Sequence, residues 1–84
     1  MSPLARQIEA LLFLAPEPVA LDELADALQA GEEVVREGLA ELRQALDGRG
    51  VVLREVAGGW ALASHPDAEE AARRLLARPR ATAR

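Results

Sequence analysis

The segment Ile8 to Leu24, IEALLFLAPEPVALDEL, constrains this chain more than any other. An apolar helical run meets a Pro-Glu-Pro corner and is followed at once by a second helical run. Pro16 and Pro18 each lack an amide donor and push the preceding residue toward extended backbone, so the first helix must stop there. Val19 and Ala20 then make a short extended passage. A chain that stops and re-enters a helix within a few residues is committed to a helical corner.

The first helix starts at Ser2 and Pro3, with Ser2 as N-cap and Pro3 in the first turn, where its missing N–H costs nothing. On a helical wheel Leu4, Ile8, Leu11 and Ala15 share one face, flanked by Leu12 and Leu14, with Arg6 and Glu9 behind. The second helix runs from about Leu21 to Leu28, with Leu21, Leu24, Ala25 and Leu28 inward. Glu23 stands where a capping box wants it, but Ala20 holds the cap position, which forfeits about 0.5–2 kcal/mol. Ala30-Gly31 supplies a tight turn.

A third helix, about Glu32 to Asp47, places Val35, Leu39, Leu42 and Leu46 on one face, with Val34, Gly38 and Ala45 beside it. Gly38 costs about 1 kcal/mol inside a helix, so it marks a close helix crossing. Gly48-Arg49-Gly50 ends the element. Val51–Val56 and Trp60–Ser64 are rich in strand formers and Gly58-Gly59 reverses the chain between them, which predicts a hairpin. His65 caps a fourth helix with Pro66 at its first position. Its apolar stripe is Ala68, Ala72, Leu75 and Leu76, and Pro79 stops it. The expected architecture is α+β and mostly helical: a winged helix-turn-helix of three helices, a β-hairpin wing and a C-terminal helix. Residues 1–77 form the domain and 78–84 a linker or truncated tail.

With 84 residues there is room for one modest core, and a domain this small buries only about two-thirds of its unfolded surface. A partner would add to its stability. Phe13 and Trp60 are the only aromatic residues, so the core must be built from Leu, Val and Ala. The absence of cysteine removes disulfides and thiolate metal sites and is compatible with a reducing compartment. No apolar run approaches the length of a bilayer span, and MSPLARQ lacks the ordered regions of a signal peptide. These features predict a soluble, cytoplasmic protein with no membrane association.

No grouping of residues offers catalytic chemistry. The single histidine, His65, precedes Pro66 and reads as a helix cap. Ser2, Ser64 and Thr82 have no general base nearby in sequence, and Asp22, Glu23 and Asp26 are acids at a helix start, where the dipole favours them. Gly58-Gly59 is too short to cradle a phosphate. The expectation is a non-enzyme with no catalytic, cofactor or metal site.

A winged helix suggests DNA, and a small DNA-binding transcriptional regulator is the alternative to a protein-interaction module. Charge separates the two. Residues 1–70 hold all fourteen acids and five of the ten arginines, whereas residues 71–84 hold five arginines and no acid. The third helix, which enters the major groove in the usual docking, carries Glu32, Glu33, Glu37, Glu41 and Asp47 against Arg36 and Arg43. Such a helix repels a polyanion, and the wing tip Ala57-Gly58-Gly59 has no charge to reach a phosphate. Sequence-specific DNA binding is therefore not expected.

The candidate protein interface is Phe13, its neighbour Leu12, and Trp60. Phe13 lies roughly opposite the Leu4/Ile8/Leu11 stripe, so it either folds beneath the proline corner or stands ready for a partner. Trp60 alternates with Leu62 and either covers the core or faces outward.

Taken together, Ile8-Glu9-Ala10-Leu11-Leu12-Phe13, Glu17-Pro18-Val19, Leu21-Asp22-Glu23-Leu24-Ala25 and Glu55-Val56-Ala57-Gly58-Gly59-Trp60 with Pro66 following resemble the N-terminal winged-helix domain of the segregation and condensation protein B family. The likeness spans residues 4 to 77. It implies a non-enzymatic subunit of the bacterial SMC chromosome condensation and segregation complex, nucleoid-associated and tied to the cell division cycle. Such subunits dimerise through this domain and bind the kleisin, segregation and condensation protein A, and through it SMC. Family members usually carry a hydroxyl residue where Ala20 stands and Tyr more often than Trp at position 60. A second winged-helix domain normally follows, so the resemblance implies that this chain is a single-domain portion ending in the interdomain linker.

Overall fold

A computed structural model describes residues 1–79. The elements follow in the order α1 (Pro3–Leu14), β1 (Val19–Ala20), α2 (Leu21–Leu28), α3 (Glu32–Ala45), β2 (Val51–Val56), β3 (Gly59–Ser64), a 3₁₀ turn (Pro66–Ala68) and α4 (Glu69–Ala77). This is the expected winged helix-turn-helix, with one addition. The extended passage at Val19–Ala20 pairs with β3, so the wing is a three-stranded antiparallel sheet in the order β1-β3-β2.

Ser2 caps α1 by accepting the Ala5 N–H at 3.1 Å, and Pro3 sits in the first turn. The Ser2 N–H and hydroxyl in turn donate to the two carboxylate oxygens of Glu41 on α3, at 2.6 and 2.8 Å. One residue thus starts α1 and ties it to α3. These two bonds favour the ionised carboxylate and hold Glu41 below its ordinary pKa. At the start of α2, Glu23 accepts the Ala20 N–H at 2.9 Å, whereas Ala20 has no acceptor to return; half of the capping box forms.

The core is Ile8, Leu12, Leu24, Val35, Leu39, Leu42 and Leu53, with Leu4, Leu11, Val19, Leu21, Trp60 and Leu62 packed around it. The buried face of α1 centres on Ala5, Ile8 and Leu12. That is rotated from the expected stripe: Leu4, Leu11 and Ala15 are half-buried, and Leu14 is exposed. The crossing with α3 sets the rotation. A Cβ on Gly38 would lie 2.7 Å from Ile8 Cδ1 and 3.2 Å from Leu4 Cδ2, so α1 seats Ile8 in the notch that the missing side chain leaves.

Three turns differ in detail from the sequence reading. The left-handed residue after α2 is Gln29 (φ 54°), while Gly31 is the extended N-cap of α3. α3 ends at Ala45 rather than Asp47. In the hairpin the reversal is Ala57-Gly58 (φ 49° and 82°), which closes the register Val56↔Gly59. Two left-handed residues in a two-residue loop match the right-handed twist of the strands. Gly59 serves a different end. A Cβ there would lie 2.9 Å from Pro18 Cβ and 3.1 Å from the Pro18 carbonyl carbon, so its bareness lets the proline corner lie against the sheet.

His65 caps the 3₁₀ turn, its Nδ1 accepting the Asp67 N–H at 2.9 Å. α4 therefore begins at Glu69, not at Pro66, and packs chiefly on that turn. The expected stripe finds no deep seat: Ala68 and Ala72 are half-buried, but Leu75 and Leu76 are exposed. Arg73 and Arg74 pair within the helix with Glu69 and Glu70. The 78–84 linker expected from sequence lies mostly outside the described residues.

Candidate protein-interaction surface

The three candidate interface residues go to three environments. Phe13 is 78 % exposed and is not folded beneath the proline corner. Leu12 is only 5 % exposed and belongs to the core, which corrects its place in the candidate interface. One residue step turns a helix by about 100°, which puts Leu12 on the Ala5/Ile8 side and Phe13 away from it. Trp60 is half-buried against the core, with the Arg43 guanidinium 5.6 Å from its ring centroid. It covers the core rather than standing free.

The sequence reading missed most of the surface to which Phe13 belongs. Pro3, Arg6, Gln7, Ala10 and Leu14 are all exposed on the same outer side of α1. Leu14, at 73 % exposure, is the second large apolar side chain there. Beside this face lies an open cleft of about 430 Å³ between α1 and the start of β2. Its apolar wall is Ala10, Phe13, Leu46, Val51 and Leu62, and its rim carries Arg6, Glu9 and Arg49. The spacing 3, 7, 10, 14 on α1 was the available signal, a second helical stripe beneath the more obvious leucine one.

The α3 face offers the opposite chemistry. Glu32, Glu33 and Glu37 are exposed. Both of the helix's arginines, Arg36 and Arg43, are exposed, and Arg43 lies over Trp60 and reaches the Leu53 carbonyl at 3.5 Å. The wing tip is uncharged. Arg80 and Arg84 of the basic tail lie outside the described residues. Among the described residues, no three His, Asp or Glu side chains gather as metal ligands would, and no helix is long and apolar enough to cross a membrane.

Known proteins share this sequence pattern and this fold. A family model for the segregation and condensation complex subunit ScpB matches residues 6–83. Segregation and condensation protein B of Syntrophotalea carbinolica is 49 % identical over 70 residues, covering 81 % of this chain and 36 % of that protein. The proteins of the same name from Symbiobacterium thermophilum and Myxococcus xanthus are 35 % and 42 % identical, each over 82 % of this chain. The chain spans between 22 % and 36 % of the length of these relatives. Among solved structures, a dimer of the ScpB N-terminal domain complexed with an ScpA peptide superposes with a TM-score of 0.80 at 29 % identity, over 87 % of this chain and 94 % of that one. ScpB from Mycobacterium tuberculosis superposes with a TM-score of 0.81 at 31 % identity, over 94 % of this chain and 52 % of that one. In sequence and in fold, this chain belongs to the ScpB family of segregation and condensation complex subunits.

Proposed function

We propose that the chain is a non-enzymatic dimerisation and protein-binding module of the bacterial SMC–kleisin complex that condenses and segregates chromosomes, working in the cytoplasm at the nucleoid. Its partners are a second copy of itself and the kleisin ScpA, and through ScpA the SMC ATPase. The observation that carries this reading is its likeness, over nearly the whole of that domain, to an ScpB N-terminal domain solved as a dimer with an ScpA peptide. The molecule's own surface agrees. Its exposed apolar residues Phe13 and Leu14 suit polypeptide contact, and the acids of α3 oppose a DNA backbone.

Light scattering at micromolar concentration should report a dimer, and a peptide of the host's own ScpA should co-elute with it. A strict monomer at high concentration that also ignores the peptide overturns the proposal. The competing reading, a winged-helix transcriptional regulator, requires a salt-dependent shift of a DNA probe that survives removal of residues 78–84.

A further inference from the structure

We propose that His65 is a proton-operated pin: its neutral imidazole seats the 3₁₀ turn, and with it α4, against the domain, and protonation frees both.

The weakness of every other attachment is the first ground. α4 has no buried residue. Ala68 and Ala72 are half-buried, while Leu75 and Leu76, at 65 % and 74 % exposure, contribute nothing to the seat. Arg73 and Arg74 form their ion pairs with Glu69 and Glu70 of the same helix, which tie it to nothing beyond itself. The helix packs chiefly on the turn before it, so whatever fixes the turn fixes the direction of α4.

The turn is fixed around a single residue. The His65 N–H donates to the Gly50 carbonyl at 2.8 Å, the His65 carbonyl accepts the Ala68 N–H at 2.9 Å, and Nδ1 accepts the Asp67 N–H at 2.9 Å. The two backbone bonds are indifferent to pH. The side-chain bond is not, because it needs a lone pair on Nδ1 and therefore a neutral ring with its proton on Nε2. Imidazole is the side chain whose charge changes between about pH 5 and 8. A proton on Nδ1 turns the acceptor into a donor that faces the Asp67 N–H, and the cap is lost.

The groups around the ring give the proton somewhere to point without cancelling the effect. On the same turn the Asp67 carboxylate, 93 % exposed, lies 3.6 Å from Nδ1 and draws the new N–H away from the Asp67 amide. His65 also lines two clefts, of about 260 and 250 Å³, which leave the ring room to turn. Arg43 and Asp47 line the first, and Arg49 and Asp67 the second. Two acids stand against two cations, so no net field opposes the ring's own change of charge. The sign follows: the cap is complete while the ring is neutral and is lost as pH falls through its titration. Carboxylates titrate lower than imidazole, and Glu41 is held below even their ordinary range, so α4 comes free while the core stays folded.

Residual dipolar couplings and amide hydrogen exchange on the full chain, in neutral and in weakly acidic buffer, test the pin. In acid the Asp67 amide, corrected for its intrinsic rate, should exchange roughly fivefold faster, the factor expected for loss of an N-cap. The couplings of residues 69–77 should lose their common alignment with those of α3. His65→Asn supplies a cap that does not titrate and should keep α4 aligned in both buffers, whereas His65→Ala should free it in both. Protection of the Leu39 and Leu42 amides shows that each variant is folded. A wild-type α4 aligned alike in both buffers overturns the proposal, as does a His65→Asn chain that keeps the wild-type pH response or a His65→Ala chain whose α4 stays aligned.

Discussion

Leu12 and Phe13 are adjacent in the chain, similar in apolar character, and opposite in fate. The inner face of α1 gives Ala5, Ile8 and Leu12 to a core with little water left in it, whereas the outer face leaves Ala10, Phe13 and Leu14 in solvent. The difference does not lie in hydrophobicity. It lies in which side of the helix the bare backbone of Gly38 admits, because once Ile8 occupies that notch the rotation of every other residue on α1 follows. One helix thus holds two apolar faces, one that folds the domain and one left exposed.

Substitutions on the two faces should separate cleanly. Leu12→Ala leaves a cavity in the core and should cost about 2–5 kcal/mol in urea denaturation, enough to unfold much of a domain this small. Retention of wild-type stability would place Leu12 outside the core. Gly38→Ala drives a methyl toward Ile8 Cδ1, which has no exposed side to retreat to. A loss of about 1–3 kcal/mol and a lower thermal midpoint should follow, and no loss would mean the helices do not cross there.

The Ser2–Glu41 link is a smaller term with a pH signature. Because Glu41 is held below its ordinary range, its contribution is complete above the unfolded pKa of about 4.3 and is lost as pH falls through the lowered folded value. Glu41→Gln should therefore destabilise most at neutral pH and converge with the wild type in acid. Parallel stability curves for the two proteins would exclude the link. Ser2→Ala removes the cap as well and should cost about 1 kcal/mol near neutrality.

Ala57 sits at φ 49° with glycine after it, the position that type I′ hairpins fill with asparagine. Ala57→Asn should raise stability by about 0.5–1 kcal/mol; destabilisation would mean the turn is not of this type. Phe13→Asp stands at the other end of the scale from Leu12→Ala. Measured at dilutions where only monomer is present, it should change folding free energy by less than about 0.5 kcal/mol. A large loss would return Phe13 to the core.

Much of the fold was legible because its signals are local. Pro16 and Pro18 stop α1 whatever surrounds them, Ser2-Pro3 starts it, and the strand formers of Val51–Val56 and Trp60–Ser64 with glycine between them specify a hairpin. Gly38 announced a close crossing, and a close crossing is what it makes. The candidate interface was less legible. Phe13 stands out because it disagrees with the leucine stripe, but Leu12 is only its neighbour in the chain, and adjacency on a helix means different faces. Ala10 and Arg6 carry no compositional flag; they matter through what lies beside them.

The sequence alone determined where α1 and α2 begin and end, that the wing turns without charge, and that the third helix is acidic, since these depend on residues within a turn or two of one another. Tertiary structure decided the rest. It chose the rotation of α1, gave the two glycines of the hairpin separate tasks, made Val19–Ala20 a strand by laying it against β3, and drew Arg43 over Trp60. Each of these turns on which surfaces meet across tens of residues. Periodicity along one element can show that an apolar face exists, but only the packed neighbour fixes whether it is covered.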